Sequence, residues 1–120
     1  MKPTIDGTRF GSISVEGEVW DKDIVIRLNG EVKKRKKKLS SELYGTSHIV
    51  SLAEAEHIYD QGAWRLIIGA GQDGLVRLSD EAAEYLAREG CAVELLPTPR
   101  AVDAWNQAEG AVIGMFHITC

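Results

Sequence analysis

The chain has 120 residues, of which 44% are hydrophobic and 27% are charged, a composition typical of a globular domain with its own core. We expect one domain spanning residues 1–120. No apolar run approaches the roughly 18 residues of a membrane-spanning helix, and the first residues lack an apolar secretory segment, so neither a membrane nor a secreted protein is indicated. Cys91 and Cys120 show no CxxC spacing. They favour a reduced, cytoplasmic location without structural zinc.

The net charge of −4 hides an uneven distribution of charge along the sequence. Six of the fourteen Lys and Arg residues are consecutive and form a basic block. These residues are Lys33, Lys34, Arg35, Lys36, Lys37 and Lys38. The other eight basic residues stand against eighteen acidic ones, which leaves the rest of the chain with a balance of −10. This asymmetry is the most unusual feature of the composition.

Short antiparallel strands are predicted in the first third of the chain. Ile13 and Val15 alternate with polar residues between two glycines, which predicts a strand with both side chains on one face. A second strand is predicted at residues 24–28. Asn29-Gly30 then predicts a hairpin with a type I′ turn, whose two central residues both need φ > 0. The returning strand continues into the basic block, and we expect a solvated edge where lysines prevent pairing with another chain.

The remainder of the chain alternates helices and strands. Residues 39–48 show no period and are predicted to form a loop. Ser51 and Glu54 have the spacing of a capping box, in which each side chain bonds the other residue's N–H at the start of a helix. Further helices are predicted after Ser79 and after Thr98, and the hydroxyl of each of these residues is expected to cap the N-terminus of the helix that follows. Strands are predicted at residues 64–68, 75–78, 92–96 and 111–118. The last is nearly all apolar, as expected of a strand covered on both faces.

Four segments resemble motifs of a known family. They are residues 67–72 (IIGAGQ), residues 96–101 (LPTPRA) followed by Trp105 and Asn106, residues 116–120 (FHITC) and residues 45–48 (GTSH). Together they resemble the MTH nine-three-eight-like domain family, which includes the adipogenesis-associated domain protein and a mitochondrial complex I assembly factor. The resemblance implies an α/β fold of three layers (β+α/β/α), in which a central mixed sheet carries helices on one face and a small β element on the other. It implies no established reaction.

The stretch from Gly69 to Gly74 matches the pattern G-x-G-x-x-G of dinucleotide-binding loops. That function requires a helix to begin at the glycines, so that its N-terminus meets the pyrophosphate. Here the helix is predicted only after Ser79, so the spacing argues against a nucleotide, and no cofactor is predicted. A tight structural loop and the wall of a small-ligand pocket are the two interpretations left.

A candidate ligand site lies where this loop and the loop after residue 96 meet, because parallel neighbouring strands end at the same edge of a sheet. A helix N-terminus and Arg100 would suit a phosphate or a carboxylate there. The candidate residues are Gly69, Gly71, Gln72, Thr98, Arg100 and Asn106. The alternative is structural: Thr98 only caps a helix, Arg100 is a solvated charge, and Asn106 is a satisfied polar group.

The basic block has three interpretations. Six cations could bind the phosphates of a nucleic acid, but no aromatic residues interleave with them and the chain as a whole is acidic, which argues against that partner. An acidic protein partner is the second interpretation, with Lys33 to Lys38 as the interaction surface. The third is a solvated edge strand without any partner.

The histidines and cysteines show no metal signature, because no pair has the i, i+4 helical spacing or a short ligand spacing. Cys120 could form a nucleophilic pair with His48 or His117, although a cysteine at the end of a buried strand is more often a packing residue. No catalytic residue is assigned, and an enzymatic activity is not favoured.

Two functions of different classes follow. The first is a non-enzymatic interaction or assembly module that binds a protein partner or a second copy of the chain. The second is a pocket for an anionic small molecule at the carboxyl edge of the sheet, with weak catalysis as an extension. We expect the first, since the second depends on an inferred strand order.

Overall fold

Residues 2–120 are described by a computed structural model, in which short strands form three sheets. The strands are β1 (Ile5–Arg9), β2 (Ser12–Val15), β3 (Glu18–Trp20), β4 (Ile24–Ile26), β5 (Val32–Lys34), β6 (Ile49–Val50), β7 (Arg65–Ala70), β8 (Arg77–Leu78), β9 (Ala92–Leu96) and β10 (Val112–His117). The helices are α1 (Lys38–Tyr44), α2 (Leu52–Ile58), α3 (Asp80–Arg88) and α4 (Thr98–Gln107). Among these described helices, none has the length and apolar character needed to cross a membrane.

The central sheet is mixed and has the strand order β5-β4-β10-β7-β9. Strand β10 pairs in parallel with β7 and antiparallel with β4, while β7 also pairs in parallel with β9. All six residues of β10 are buried, because this strand is central and covered on both faces. The predictions of a mixed sheet, an apolar last strand and parallel neighbours at β7 and β9 are therefore confirmed.

Alternate side chains of β7 enter two separate cores. Leu66 and Ile68 pack on one face against α2 and α3, and Ile67 packs on the other against α4 and the small sheet β1-β2-β3. The three-layer β+α/β/α class is confirmed, but α4 lies on the face of the small sheet, so the helices do not share one face. The cause is the handedness of crossovers. The connection through α3 runs from β7 to its neighbour β9, and the connection through α4 runs in the opposite direction across the sheet, from β9 to β10. Right-handed crossovers that run in opposite directions place their helices on opposite faces of the sheet.

Residues 38–44 form helix α1, where the sequence predicts a loop. The N–H of Gly45, which has φ of 70°, donates to the carbonyl of Ser41 and ends the helix. The Asn29-Gly30 hairpin joins β4 to β5 as predicted, but its turn is not type I′, because only Gly30 has positive φ. Arg27 O accepts from the N–H of Gly30, and the turn has the geometry of a type I turn followed by a bulge.

Helix α2 has half of the predicted capping box. The Ser51 hydroxyl accepts from the N–H of Glu54 at 3.1 Å. The carboxylate of Glu54 does not return to the N–H of Ser51, which instead donates to Ser40 Oγ at 2.9 Å. Glu54 is fully buried and its carboxylate bonds Ser40 and Arg35. A buried carboxylate needs a cation nearby, and that requirement prevails over the local cap.

Candidate functional site

The loops after β7 and β9 meet at the carboxyl edge of the sheet, as their parallel pairing requires. The N–H of Thr98 donates to Gly71 O at 2.9 Å, and the N–H of Gly71 donates to Thr98 Oγ1 at 2.9 Å. The Thr98 hydroxyl donates in turn to the carbonyl of His117 at 2.5 Å. Thr98 is therefore a buried residue whose hydrogen bonds connect the ends of β7, β9 and β10. It is not the predicted N-cap, since Pro97 holds that position and Thr98 is the first residue of α4.

Gly69 and Gly71 allow this close approach because neither position has room for a side chain. A Cβ on Gly69 would lie 2.9 Å from Phe116 Cδ2 and 3.0 Å from Thr98 Oγ1. A Cβ on Gly71 would lie 2.5 Å from the carbonyl oxygen of Cys120, and Gly71 has φ of +96°. The glycine loop is packed against neighbouring strands, which agrees with the structural interpretation of the G-x-G-x-x-G match.

The other three candidate ligand residues have different surroundings, and Asn106 lies away from the carboxyl edge. The N–H of Gln72 donates to Thr119 O at 2.7 Å, which places Gln72 at the carboxyl edge. Arg100 is exposed, and its side chain has no hydrogen bond or ion pair within residues 2–120. Asn106 lies at the far end of α4, where it bonds the N–H and the carbonyl of Ile5 at 2.9 and 2.8 Å and ties β1 to α4. The structure does not gather the six residues into one pocket.

The basic block divides into one buried residue and five exposed ones. Arg35 is 2% exposed, and its guanidinium donates to Glu54 from Nε at 2.6 Å and from Nη2 at 3.0 Å. It also donates from Nη1 to Asp23 Oδ2 at 2.9 Å and from Nη2 to Ser47 O at 2.8 Å. The expectation that the whole block is solvated, with all six side chains on an interaction surface, is therefore wrong for Arg35. The core holds two carboxylates that need a paired cation.

The electrostatics of this buried cluster favour the charged forms of Arg35 and Asp23. Burial alone would lower the pKa of Arg35, but the hydrogen bonds and charges of Glu54 and Asp23 outweigh burial and raise that pKa. Burial alone would raise the pKa of Asp23. The hydrogen bond and charge of His117, the N–H of Ile118 and the charge of Arg35 together lower it instead. Arg35 and Asp23 are therefore both charged at neutral pH.

The five exposed lysines form what we call the basic surface. They are Lys33, Lys34, Lys36, Lys37 and Lys38. Within the described residues, only one of the five forms an ion pair, between Lys33 and Glu31 at 3.7 Å. A concave region of about 460 Å³ lies among the last four of these lysines and Leu39. The basic surface therefore combines unpaired ammonium groups with an apolar floor made of lysine stems and one leucine.

A chain of hydrogen bonds that no sequence pattern predicts runs along the end of β10. His117 Nδ1 lies 2.7 Å from Asp23 Oδ2, and His117 Nε2 lies 3.1 Å from Thr119 Oγ1. Since an ionised carboxylate only accepts, His117 Nδ1 carries the proton of the bond to Asp23. Asp23 and His117 are 94 residues apart, so no local pattern links them.

Cys120 and His48 lie beside this chain of hydrogen bonds. Cys120 Sγ is 3.9 Å from His48 Nε2, and the rings of His48 and His117 are 5.4 Å apart in an edge-to-face arrangement. Cys120 is partly exposed. Cys91 is buried, and burial raises the pKa of its thiol to about 11. The two thiols therefore differ in access and in the presence of a base.

A small cleft connects the end of β10 with the basic surface. Its volume is about 220 Å³, Thr119 forms part of its wall, and Lys22, Lys34 and Lys37 lie around it. Pockets for small organic ligands usually measure about 300–1,000 Å³, so the cleft has room for an ion or one side chain. Among residues 2–120, no group of three or more His, Cys, Asp or Glu side chains is placed to hold a metal ion.

The fold defines the class first: this is an α/β protein with the Mth938-like fold. A solved structure named MT938 is 30% identical, covers 99% of this chain and 100% of its own, and has a TM-score of 0.82. The conserved hypothetical protein PH1505 from Pyrococcus horikoshii OT3 is 27% identical over 98% of this chain and 99% of its own, with a TM-score of 0.88. A Mth938-like domain from Bordetella pertussis shares the fold at 20% identity, covering 97% and 85% of the two chains with a TM-score of 0.62.

The family follows from the sequence itself. A family model described as "Protein of unknown function (DUF498/DUF598)" matches residues 5–117. The chain belongs to this family, and the resemblance based on its four motifs is confirmed. The matched range includes the Arg35 cluster and His117 but ends before Thr119 and Cys120. The description of this family names no activity.

Proposed function

We propose that the protein is an interaction module whose basic surface binds an acidic segment of a partner protein. The observation that carries this proposal is the position of Lys36, Lys37 and Lys38. Lys33 and Lys34 belong to the edge strand β5, where lysines are explained by protection against pairing with another chain. The three that follow lie beyond the last paired residue, Lys34, where there is no strand edge to protect.

Arg35 holds the basic surface in one shape. Its guanidinium is bonded to Glu54, Asp23 and Ser47, and its own N–H donates to Asp23 O at 2.8 Å. A run of cations normally repels itself and stays disordered. Anchoring the middle of the run to the core removes part of the ordering cost that a free loop would incur on binding. The lysines are thus presented in advance of any partner.

The chemistry of the surface fits a segment in which carboxylates flank an apolar side chain. The ammonium groups surround a concave region whose floor includes Leu39. Carboxylates would pair with the lysines, and a leucine or similar side chain would lie on the floor. The positive potential also acts on His57, whose pKa is lowered by burial first and then by the charges of Lys36 and Arg27. Charge complementarity of this kind favours fast and selective encounter.

We place this interaction in the cytoplasm. Cys91 and Cys120 are both free, as expected in the cytoplasm, where thiols are kept reduced. If the acidic segment belongs to a subunit of a larger complex, the module acts in the assembly of that complex.

The test is the binding of a fluorescein-labelled glutamate-rich peptide with one central leucine, measured by fluorescence anisotropy at low salt. Two triple variants matched in charge are compared: Lys36→Gln/Lys37→Gln/Lys38→Gln, and Arg9→Gln/Arg77→Gln/Arg88→Gln at exposed sites elsewhere. Because exposed charge pairs each contribute about 0.2–1 kcal/mol, the lysine variant should bind on the order of tenfold more weakly. The arginine variant should change by less than about twofold.

Equal weakening in both variants would show a non-specific effect of net charge and would overturn the proposal, as would the absence of binding by the wild-type protein. Sedimentation of the chain alone tests the partner class. If the wild type dimerises and the lysine variant is monomeric, the acidic partner is a second copy of the chain, which carries exposed carboxylates on α3 at Asp80, Glu81 and Glu84.

Binding of a small anion is a second candidate function, favoured by the three lysines around the cleft of about 220 Å³. It would take place beside Thr119 and not at Arg100 and Asn106, which lie outside this cleft. Titration calorimetry with inorganic phosphate tests it. Binding that is lost in Lys34→Gln/Lys37→Gln but kept in Arg100→Gln supports the candidate, and no detectable binding removes it.

A further inference from the structure

We propose that Cys120 and His48 form a nucleophilic thiol–imidazole pair that undergoes thiol–disulfide exchange with small anionic disulfides. This activity does not depend on the acidic protein partner proposed above. The two side chains are 72 residues apart in the sequence, and the fold brings Cys120 Sγ to 3.9 Å from His48 Nε2. A thiol within reach of an imidazole nitrogen is the arrangement that generates a reactive thiolate.

His48 is placed to accept the proton of the thiol. Its N–H donates to Thr46 Oγ1 at 3.1 Å and its carbonyl accepts from the N–H of Arg77 at 2.9 Å, so its backbone is fixed on both sides. Its ring stands edge-on to the ring of His117, which is itself bonded to Asp23. A neutral His48 that carries its proton on Nδ1 presents the lone pair of Nε2 to the sulfur.

The backbone around Cys120 is fixed as well. The N–H of Gln72 donates to Thr119 O, and Gly71 approaches so closely that an added Cβ would lie 2.5 Å from Cys120 O. A fixed nucleophile needs little reorganisation before it reacts. Cys91 provides the internal contrast, since it is 4% exposed and no side-chain hydrogen bond joins it to a base within residues 2–120.

The exchange balances with the disulfide as the only co-reactant. The Cys120 thiol transfers its proton to His48 Nε2, and the thiolate sulfur attacks one sulfur of R–S–S–R. A bond forms between Cys120 Sγ and that sulfur as the R–S–S–R bond breaks. The leaving thiolate then takes the proton from His48. One thiol and one disulfide thereby give one mixed disulfide and one new thiol.

The charges beside the site define the substrate class. Thr119, next to Cys120, forms part of the wall of the cleft surrounded by Lys22, Lys34 and Lys37. Two carboxylates also line this cleft, but both are paired: Asp23 with Arg35 and His117, and Asp21 with Lys22 at 3.3 Å. Within residues 2–120, neither Lys34 nor Lys37 forms an ion pair. They attract a disulfide that carries carboxylates.

The test uses the full chain with Cys91→Ser, so that the signal reports Cys120 alone. Exchange is followed by the absorbance of the thiol released from dithiobis(nitrobenzoate), a dianionic disulfide, and from dithiodipyridine, a neutral one. At about pH 6, each unit by which a thiol pKa is lowered speeds exchange about three- to fourfold, after allowance for its weaker nucleophilicity. Adding His48→Gln should therefore slow both reagents by at least about threefold. Adding Lys34→Gln/Lys37→Gln should slow the dianionic reagent several-fold more than the neutral one.

Equal rates with and without His48→Gln would overturn the pair, and equal effects of the lysine substitutions on both reagents would overturn the anionic substrate class. A second measurement covers the case in which His48→Gln does not fold. The pH at which the Cys91→Ser protein reaches half its maximal rate is compared with that of a short cysteine peptide. A lower midpoint in the protein supports the pair, and the same or a higher midpoint refutes it.

Discussion

Replacing Arg35 by methionine would remove the cation that compensates two buried carboxylates, with little change in side-chain volume. Four hydrogen bonds to Glu54, Asp23 and Ser47 would be lost, and both carboxylates would stay in the core. Leaving a buried charge without its partner costs about 3–5 kcal/mol, and we expect that loss in the free energy of unfolding at neutral pH. It is a large share of the roughly 5–15 kcal/mol that stabilises a typical domain.

Urea unfolding followed by tryptophan fluorescence measures this loss, since Trp105 is fully buried in the core. The matched control is Lys36→Met, which removes the neighbouring exposed cation and should change stability by less than about 0.5 kcal/mol. The double variant Arg35→Met/Glu54→Gln removes one unpaired charge as well and should recover part of the loss. An unchanged urea midpoint in Arg35→Met, or an equal loss in Lys36→Met, would refute the role assigned to the buried cluster.

The same cluster gives a pH dependence of defined sign. Burial acts to raise the pKa of Asp23, but its bonds and charges to His117, Ile118 and Arg35 lower it below the ordinary value of 3.8. The unfolded chain therefore binds this proton more tightly than the folded one. The stability that Asp23 contributes is fully present above that ordinary value and is lost as the pH falls through the folded pKa. Since Arg35→Met removes one cause of the lowering, its unfolding free energy should fall less steeply than that of the wild type below about pH 4.

Three further outcomes are expected. Gly71→Ala should lower the melting temperature more than Gly90→Ala. Both glycines have positive φ (+96° and +74°), but only Gly71 has backbone atoms within 3 Å of an added Cβ. Equal decreases in melting temperature would contradict the clash at Gly71. Asn106→Ala should lose about 1–3 kcal/mol in urea unfolding, since two hydrogen bonds to β1 disappear; an unchanged midpoint would contradict that tie. Lys36→Gln should raise the pKa of His57 in an NMR titration, because burial and then the charge of Lys36 lower it; a constant pKa would show that the lysine is screened.

Much of the element pattern was predictable because it depends on neighbours in the sequence. The apolar run at residues 111–118 is central strand β10, and the Ser79 hydroxyl accepts from the N–H of Ala82 at the start of α3. The glycine of the Asn29-Gly30 hairpin takes the positive φ that a tight turn needs. Strand period, caps and turns are set within a few residues, so a local pattern is sufficient to predict them.

Helix α1 and the role of Thr98 were not predictable in this way. Residues 38–44 carry no clear apolar period, and the helix is held by the buried Ser40, whose hydroxyl bonds Ser51 and Glu54. Thr98 has the sequence context of a cap, yet its hydroxyl joins Gly71 to His117. In both cases a contact with a distant segment decided the outcome, and local preference had a weaker effect.

The sequence by itself determined three of the four helices, the strands of the central sheet, the fold class and the presence of a cationic segment. Only the tertiary structure decided which cation of that segment is buried and which imidazole faces a thiol. Arg35 is bonded to partners 12 and 19 residues away, and Cys120 meets His48 across 72 residues. The physical reason is that the solvation of a charge or a thiol depends on every group around it in space. A periodic pattern describes the backbone, whereas the candidate site is built from contacts that the pattern does not contain.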